Sequence, residues 1–101
     1  MKFYLICDNE DTAVGMRLAG IQGTVVTDTA SVANVLEKVL RDGETGIVLI
    51  NEALAKLSAE QINNFRKLHN VPVIVEIPDK NSDGVSDSIS DYVRKAIGIN
   101  I

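Results

Sequence analysis

Asp8, Glu10 and Asp11 place three carboxylates within four positions, directly after the apolar run FYLIC and directly before a helix-like stretch interrupted by Gly15. Carboxylates gathered where a strand hands over to a helix can hold a divalent cation, and an acid ending a neighbouring strand can accept a phosphoryl group. Asn51 ends the run GIVLIN, Glu52 follows it, and both would lie at the same end of a sheet. In open α/β sheets that end is where ligands bind. A Mg2+-dependent receiver domain is therefore the sharpest chemical hypothesis, with Asp8 and Asp11 on the metal and an acid at the end of the third strand. The strand ends instead in Asn51, and an amide cannot form an acyl phosphate as a carboxylate does. Glu52 is one position off, which turns its side chain to the other face of an extended strand.

The remaining candidates assemble no chemistry. No Gly-Lys-Ser or Gly-Lys-Thr occurs, so a P-loop is excluded, and the three carboxylates would repel a phosphate from the first helix start. His69 is the only histidine and Cys7 the only cysteine, which rules out a cysteine-rich zinc site. Ser31 and Ser58 stand at predicted helix starts with no paired base, and read as caps rather than nucleophiles. No catalytic, cofactor-binding or metal-binding residue is expected. The acidic stretch reads as scaffold: Asp8 caps the first helix, with Glu10 and Asp11 in its first turn facing the positive end of the helix dipole. Gly15 then costs about 1 kcal/mol of helix propensity. Close approach of the helix to the sheet would account for it, and so would contact with a partner.

The elements that must position these residues follow from hydrophobic periodicity. Apolar runs over 3–7, 23–28, 46–51 and 71–77 read as strands, and three of them are nearly unbroken, as in parallel strands covered on both faces. Val32, Val35, Leu36, Val39 and Leu40 mark a helix between Ser31 and Gly43. Ser58 and Gln61 form a capping-box pattern, followed by Ile62, Phe65 and Leu68 on one stripe. A last helix is predicted over 87–97, with Ile89, Val93 and Ile97 one turn apart and Gly98 as the stop. The polar segment 79–88 is predicted to be a flexible loop before it. Alternating strands and helices imply a single α/β domain over 1–101: a four-stranded parallel sheet of order 2-1-3-4 with helices on both faces, a shortened flavodoxin-like or receiver-like fold.

Composition narrows the partners. The chain of 101 residues is 46% hydrophobic and carries 10 basic against 14 acidic residues, a net charge of −4. Scattered basic residues and a negative balance argue against nucleic acid. A lone cysteine suits a reducing compartment, and no stretch reaches the roughly twenty apolar residues that span a bilayer. The N-terminus has too short an apolar run for a signal peptide, so a cytosolic location is expected.

Residues 7–21, CDNEDTAVGMRLAGI, resemble the N-terminal signature of the F subunit of the V-type (archaeal/vacuolar-type) ATP synthase: Gly-Asp, then Asp-Thr, then Gly-Phe and Leu-Ala-Gly. GIVLINEALA (46–55), PVIVEIPDK (72–80) and VRKAIGINI (93–101) are similar to its third strand, fourth strand and C-terminal end. Cys7 stands where Gly is usual and Met16 where Phe is usual; both can pack. The resemblance implies a non-catalytic rotor subunit in the central stalk. Such a protein binds the long coiled-coil D subunit of the rotor and, through it, couples the catalytic A/B hexamer to H+ or Na+ transport at the membrane ring. It also implies no cofactor and no insertion into the membrane. The apolar positions placed for partner contact are Ile89, Val93, Ile97, Ile99 and Ile101; the last two could equally fold back on their own domain. The rival from another class is a degenerate receiver-like signalling domain holding Mg2+ through Asp8 and Asp11.

Overall fold

Four apolar runs become four parallel strands in a computed structural model that describes residues 2–79. In chain order the elements are β1 (Lys2–Cys7), α1 (Glu10–Leu18), β2 (Gln22–Val25), α2 (Thr29–Asp42), β3 (Thr45–Asn51), α3 (Glu52–Leu57), α4 (Ala59–Leu68) and β4 (Val73–Ile77). The strands lie in the order β2-β1-β3-β4, as the alternation of elements predicts. β1 is central, with Leu5 opposite Gly23 on one side and Leu49 on the other, while Asn51 of β3 stands opposite Ile77 of β4. The predicted last helix over 87–97 lies outside the described residues.

Alternation along the strands divides the core in two. Ile6, Val48, Ile50 and Ile74 face α2, α3 and α4, where they meet Val32, Leu36, Leu54, Ile62 and Phe65. Leu5, Cys7, Leu49 and Ile77 face α1 and meet Ala13 and Met16. Both family departures, Cys7 and Met16, are thus buried and packed. Full burial of each large aliphatic side chain contributes about 1.5–3 kcal/mol, so the fold rests on these two layers.

Local chemistry shifts several boundaries. Asp28, not Ser31, caps α2: its carboxylate accepts from the Ser31 N–H at 2.7 Å and from the Ser31 hydroxyl at 3.1 Å. An aspartate in extended backbone three residues ahead takes the free amide, so Ser31 becomes a helical residue. Gly43 ends α2 in the left-handed region at φ 71°, its N–H donating to Val39 O. β4 begins at Val73, because Pro72 has no N–H to place in the ladder. Ser58 joins α3 to α4 without a side-chain cap bond, and its buried hydroxyl has no partner among the described residues. The Ser58–Gln61 capping box is therefore absent. Leu68 leaves the predicted stripe and is 77% exposed, whereas His69, one residue on, lies against Phe65 with ring centroids 4.8 Å apart.

Candidate functional site

The carboxyl ends of β1, β3 and β4 meet at one buried amide. Asn51, the last residue of β3, is 1% exposed. Its Oδ1 accepts from the Asp8 N–H at 3.2 Å, and its Nδ2 donates to Asp8 Oδ1 at 3.1 Å and to Asp79 Oδ1 at 2.9 Å. Asp79 Oδ1 also accepts from the Ala53 N–H at 2.9 Å, where α3 begins. The amide has two N–H donors and uses both on carboxylates, while its oxygen serves a backbone donor. Three strand ends are tied by one side chain.

Asp8 is not the cap of α1. That place belongs to Asn9, whose Oδ1 accepts from the Thr12 N–H at 2.8 Å while its Nδ2 donates to Asp8 Oδ1 at 3.0 Å. The Asp8 carboxylate is thereby engaged by two amides, those of Asn9 and Asn51. Glu10 and Asp11 are exposed in the first turn of α1. Among the described residues no group of three or more His, Cys, Asp or Glu gathers to hold a metal ion. Cys7 lies beneath this crown, its thiol donating to Asn9 O at 3.2 Å. Burial pushes that thiol above its ordinary value, and the charges of Asp8 and Glu10 add to the effect, so it is held as an unreactive thiol.

Sequence reasoning placed Asp8, Asn51 and Glu52 at this end of the sheet, and the fold brings them there. It missed Asp79, assigned to a loop, and Asn9, passed over for Asp8. Asn9 carries a legible signal: an Asx residue immediately before an acidic first turn is a cap pattern. Asp79 carries none, because its partner lies 28 residues away.

The surface offers other features. Val14, Leu18, Leu57, Leu68, Val71 and Val73 are the large exposed apolar residues among those described. At the opposite end of the sheet an open cavity of about 550 Å3 is lined by Tyr4, Thr24, Lys38, Arg41, Asp42 and Thr45. Its charges are of mixed sign, and Tyr4 and Thr24 are hydrogen-bonded to each other through their hydroxyls. Ile89, Val93, Ile97, Ile99 and Ile101, with residues 80–88 of the predicted loop, lie outside the described residues. No helix among the described residues is long and apolar enough to cross a membrane.

Residues 4–97 match the family of the ATP synthase (F/14-kDa) subunit. The chain belongs to that family. It is 35% identical over 107 residues to the F subunit of the A-type ATP synthase of Pyrococcus furiosus, with 100% of this chain and 98% of the relative covered. Its identity to the corresponding F subunit of Methanococcus vannielii is 33% over 99 residues, covering 95% of each chain. The F subunit of Pyrococcus abyssi is 32% identical over 103 residues, with 96% of this chain and 95% of the relative covered. These relatives are components of an ATP synthase complex by name, and the F-subunit resemblance of residues 7–21 and 46–55 extends along nearly the whole chain.

Proposed function

We propose that this chain is a non-catalytic rotor subunit in the central stalk of a V-type or A-type ATP synthase. It binds the coiled-coil D subunit, contacts the A/B hexamer only through the shaft, and helps couple ATP turnover to H+ or Na+ transport from a cytoplasmic position peripheral to the membrane. The observation that carries the reading is end-to-end relatedness to A-type ATP synthase F subunits, over 95% or more of both partners in each comparison. The crown at Asn51 supports it physically. At the place where a receiver would carry its phosphoryl acceptor stands an amide with all three of its hydrogen-bonding groups engaged. The work left to such a body is mechanical: a stiff wedge clamped to a shaft.

Partner contact is assigned to Ile89, Val93, Ile97, Ile99 and Ile101. The test is co-purification of the full chain with the coiled-coil D subunit, with an equimolar complex as the expected result. A chain truncated after Tyr92 is expected to lose that complex; full retention would remove Val93, Ile97, Ile99 and Ile101 from the interface. Titration calorimetry with MgCl2 separates this reading from a receiver-like one: heat that disappears in Asp11→Ala would favour the latter.

A further inference from the structure

α1 is apolar on two sides, and only one of them is packed against the other described elements. Thr12, Ala13 and Met16 point into the core. Val14 and Leu18, one turn apart on the opposite side, are 44% and 85% exposed, and Gly15 is exposed beside them. A glycine inside a nine-residue helix lowers helix stability, so something must favour its presence. Among the described residues nothing does. A Cβ built on Gly15 meets no described atom within 4 Å, and its φ is not in the left-handed region. Gly23 shows what an intramolecular reason looks like: a Cβ there would stand 2.7 Å from Leu5 Cβ and 2.8 Å from Leu5 O. Close approach to the sheet, the first explanation of Gly15, is therefore eliminated.

We infer that the outer face of α1, formed by Val14, Gly15 and Leu18, is a second docking surface, and that its occupant is a single α-helix with an apolar seam and basic flanks. The inference rests on the shaft reading, which supplies such a helix in the coiled-coil partner. Shape favours a helix. Val14 and Leu18 make a ridge at i, i+4, and the bare backbone at Gly15 leaves a notch beside it, into which a ridge of a second helix fits at the usual 8–10 Å between axes. A partner strand needs an unpaired strand edge, which an α-helix face does not offer. Charge favours a different molecule over a second copy, since each copy carries −4 and Glu10 is exposed at the start of this helix. The other exposed apolar residues, Leu57, Leu68, Val71 and Val73, are scattered over α3, α4 and the start of β4 and share no single helix face.

The test compares the full chain with Gly15→Gln and Leu18→Glu for binding to the purified coiled-coil D subunit, alongside thermal melting. Gly15→Gln is expected to raise the melting midpoint by roughly 2–6 °C, because glutamine is the better helix former and meets no clash. It is also expected to weaken binding by about tenfold or more, since its side chain fills the notch. Leu18→Glu is expected to leave melting unchanged and weaken binding to a similar degree. Opposite signs for stability and affinity cannot come from a merely structural glycine. If both variants bind the coiled coil as the parent chain does, the α1 surface is refuted while the shaft reading stands. If the parent chain itself fails to bind the coiled coil, the shaft reading falls and this inference with it. If the variants instead abolish a self-association of the parent chain seen by sedimentation, the occupant is a second copy and the assignment to a partner helix is wrong.

Discussion

Replacing Asn51 tests whether the crown is a structural tie. Asn51→Leu keeps the branched outline of a side chain that is 1% exposed but removes its three hydrogen bonds. The Asp8 N–H then loses its acceptor in a half-buried place, which costs about 1–3 kcal/mol. The two carboxylates fare better, since Asp8 keeps the Asn9 donor at 3.0 Å and Asp79 keeps the Ala53 N–H at 2.9 Å. Losing one of two donors to a partly solvated carboxylate is worth about 0.5–1.5 kcal/mol each. Leucine recovers part of this through burial, leaving a net loss of about 1–4 kcal/mol. For a domain of this size that is a fall of roughly 5–25 °C in the melting midpoint.

Asn51→Asp has the same shape and sharpens the test. An oxygen replaces Nδ2, so two attractive contacts of 3.1 and 2.9 Å become repulsions between carboxylates. Burial and both neighbours raise the pKa of the new carboxyl group above its unfolded value. The folded form then binds more protons than the unfolded form, so stability falls as pH rises from the unfolded carboxyl value through the raised folded one. The variant should melt well below the parent at pH 7.5 and much closer to it at pH 4.5, whereas Asn51→Leu should show no such recovery. Added MgCl2 should raise the midpoint of Asn51→Asp and shift the parent by less than about 1 °C. If Asn51→Asp melts within about 3 °C of the parent at pH 7.5, the amide is not the tie described and the reasoning fails.

Further predictions concern the frame around this crown. Gly23→Ala should lower the midpoint by roughly 5–15 °C, because the added Cβ collides with Leu5 backbone and side chain and only displacement of β2 relieves it. Asp28→Ala should cost about 1 kcal/mol in urea denaturation and Ser31→Ala much less, since the aspartate holds the free amide at the start of α2. Cys7 should resist alkylation by iodoacetamide at pH 8 in the folded protein and react promptly in denaturant. Its raised value also means that stability declines as pH climbs above the unfolded thiol range.

The architecture was legible because burial on both faces writes unbroken apolar runs in β1 and β3, and burial on one face writes the helical stripe of α2. What failed were decisions between adjacent candidates. Asp8 and Asn9 are both good caps, and only the tertiary contact of Asp8 with Asn51 frees Asn9 for the role. Ser31 and Asp28 compete in the same way, and the residue in extended backbone wins. Leu68 satisfies helical periodicity, yet it is exposed, and the ring of His69, in extended backbone just past the end of α4, lies against Phe65. The function of Asn51 could be half read. That it is no phosphoryl acceptor follows from its amide, but that it binds three strand ends requires knowing that Asp79 comes back to it.

That return gives the crown a mechanical meaning within the shaft reading. A body clamped to a turning shaft passes on torque only as far as it resists shear between its strands. In a parallel sheet the ladder bonds resist separation of neighbouring strands, while their carboxyl ends are joined only by whatever side chains bridge them. Asn51 bridges β1, β3 and the residue two beyond β4, and Asp79 extends the tie to the start of α3. A carboxylate at that position would need a cation or a proton to bring the same groups together, so the tie would weaken and re-form with pH or ion concentration. The neutral amide needs neither a cation nor a proton of its own to make these bonds. The same amide that cannot form an acyl phosphate therefore serves as a brace. A stiffness measurement separates this from mere stability: Asn51→Leu should speed hydrogen exchange at the Asp8 and Ala53 amides far more than at the buried centre of β1, and uniform acceleration would show only global destabilisation.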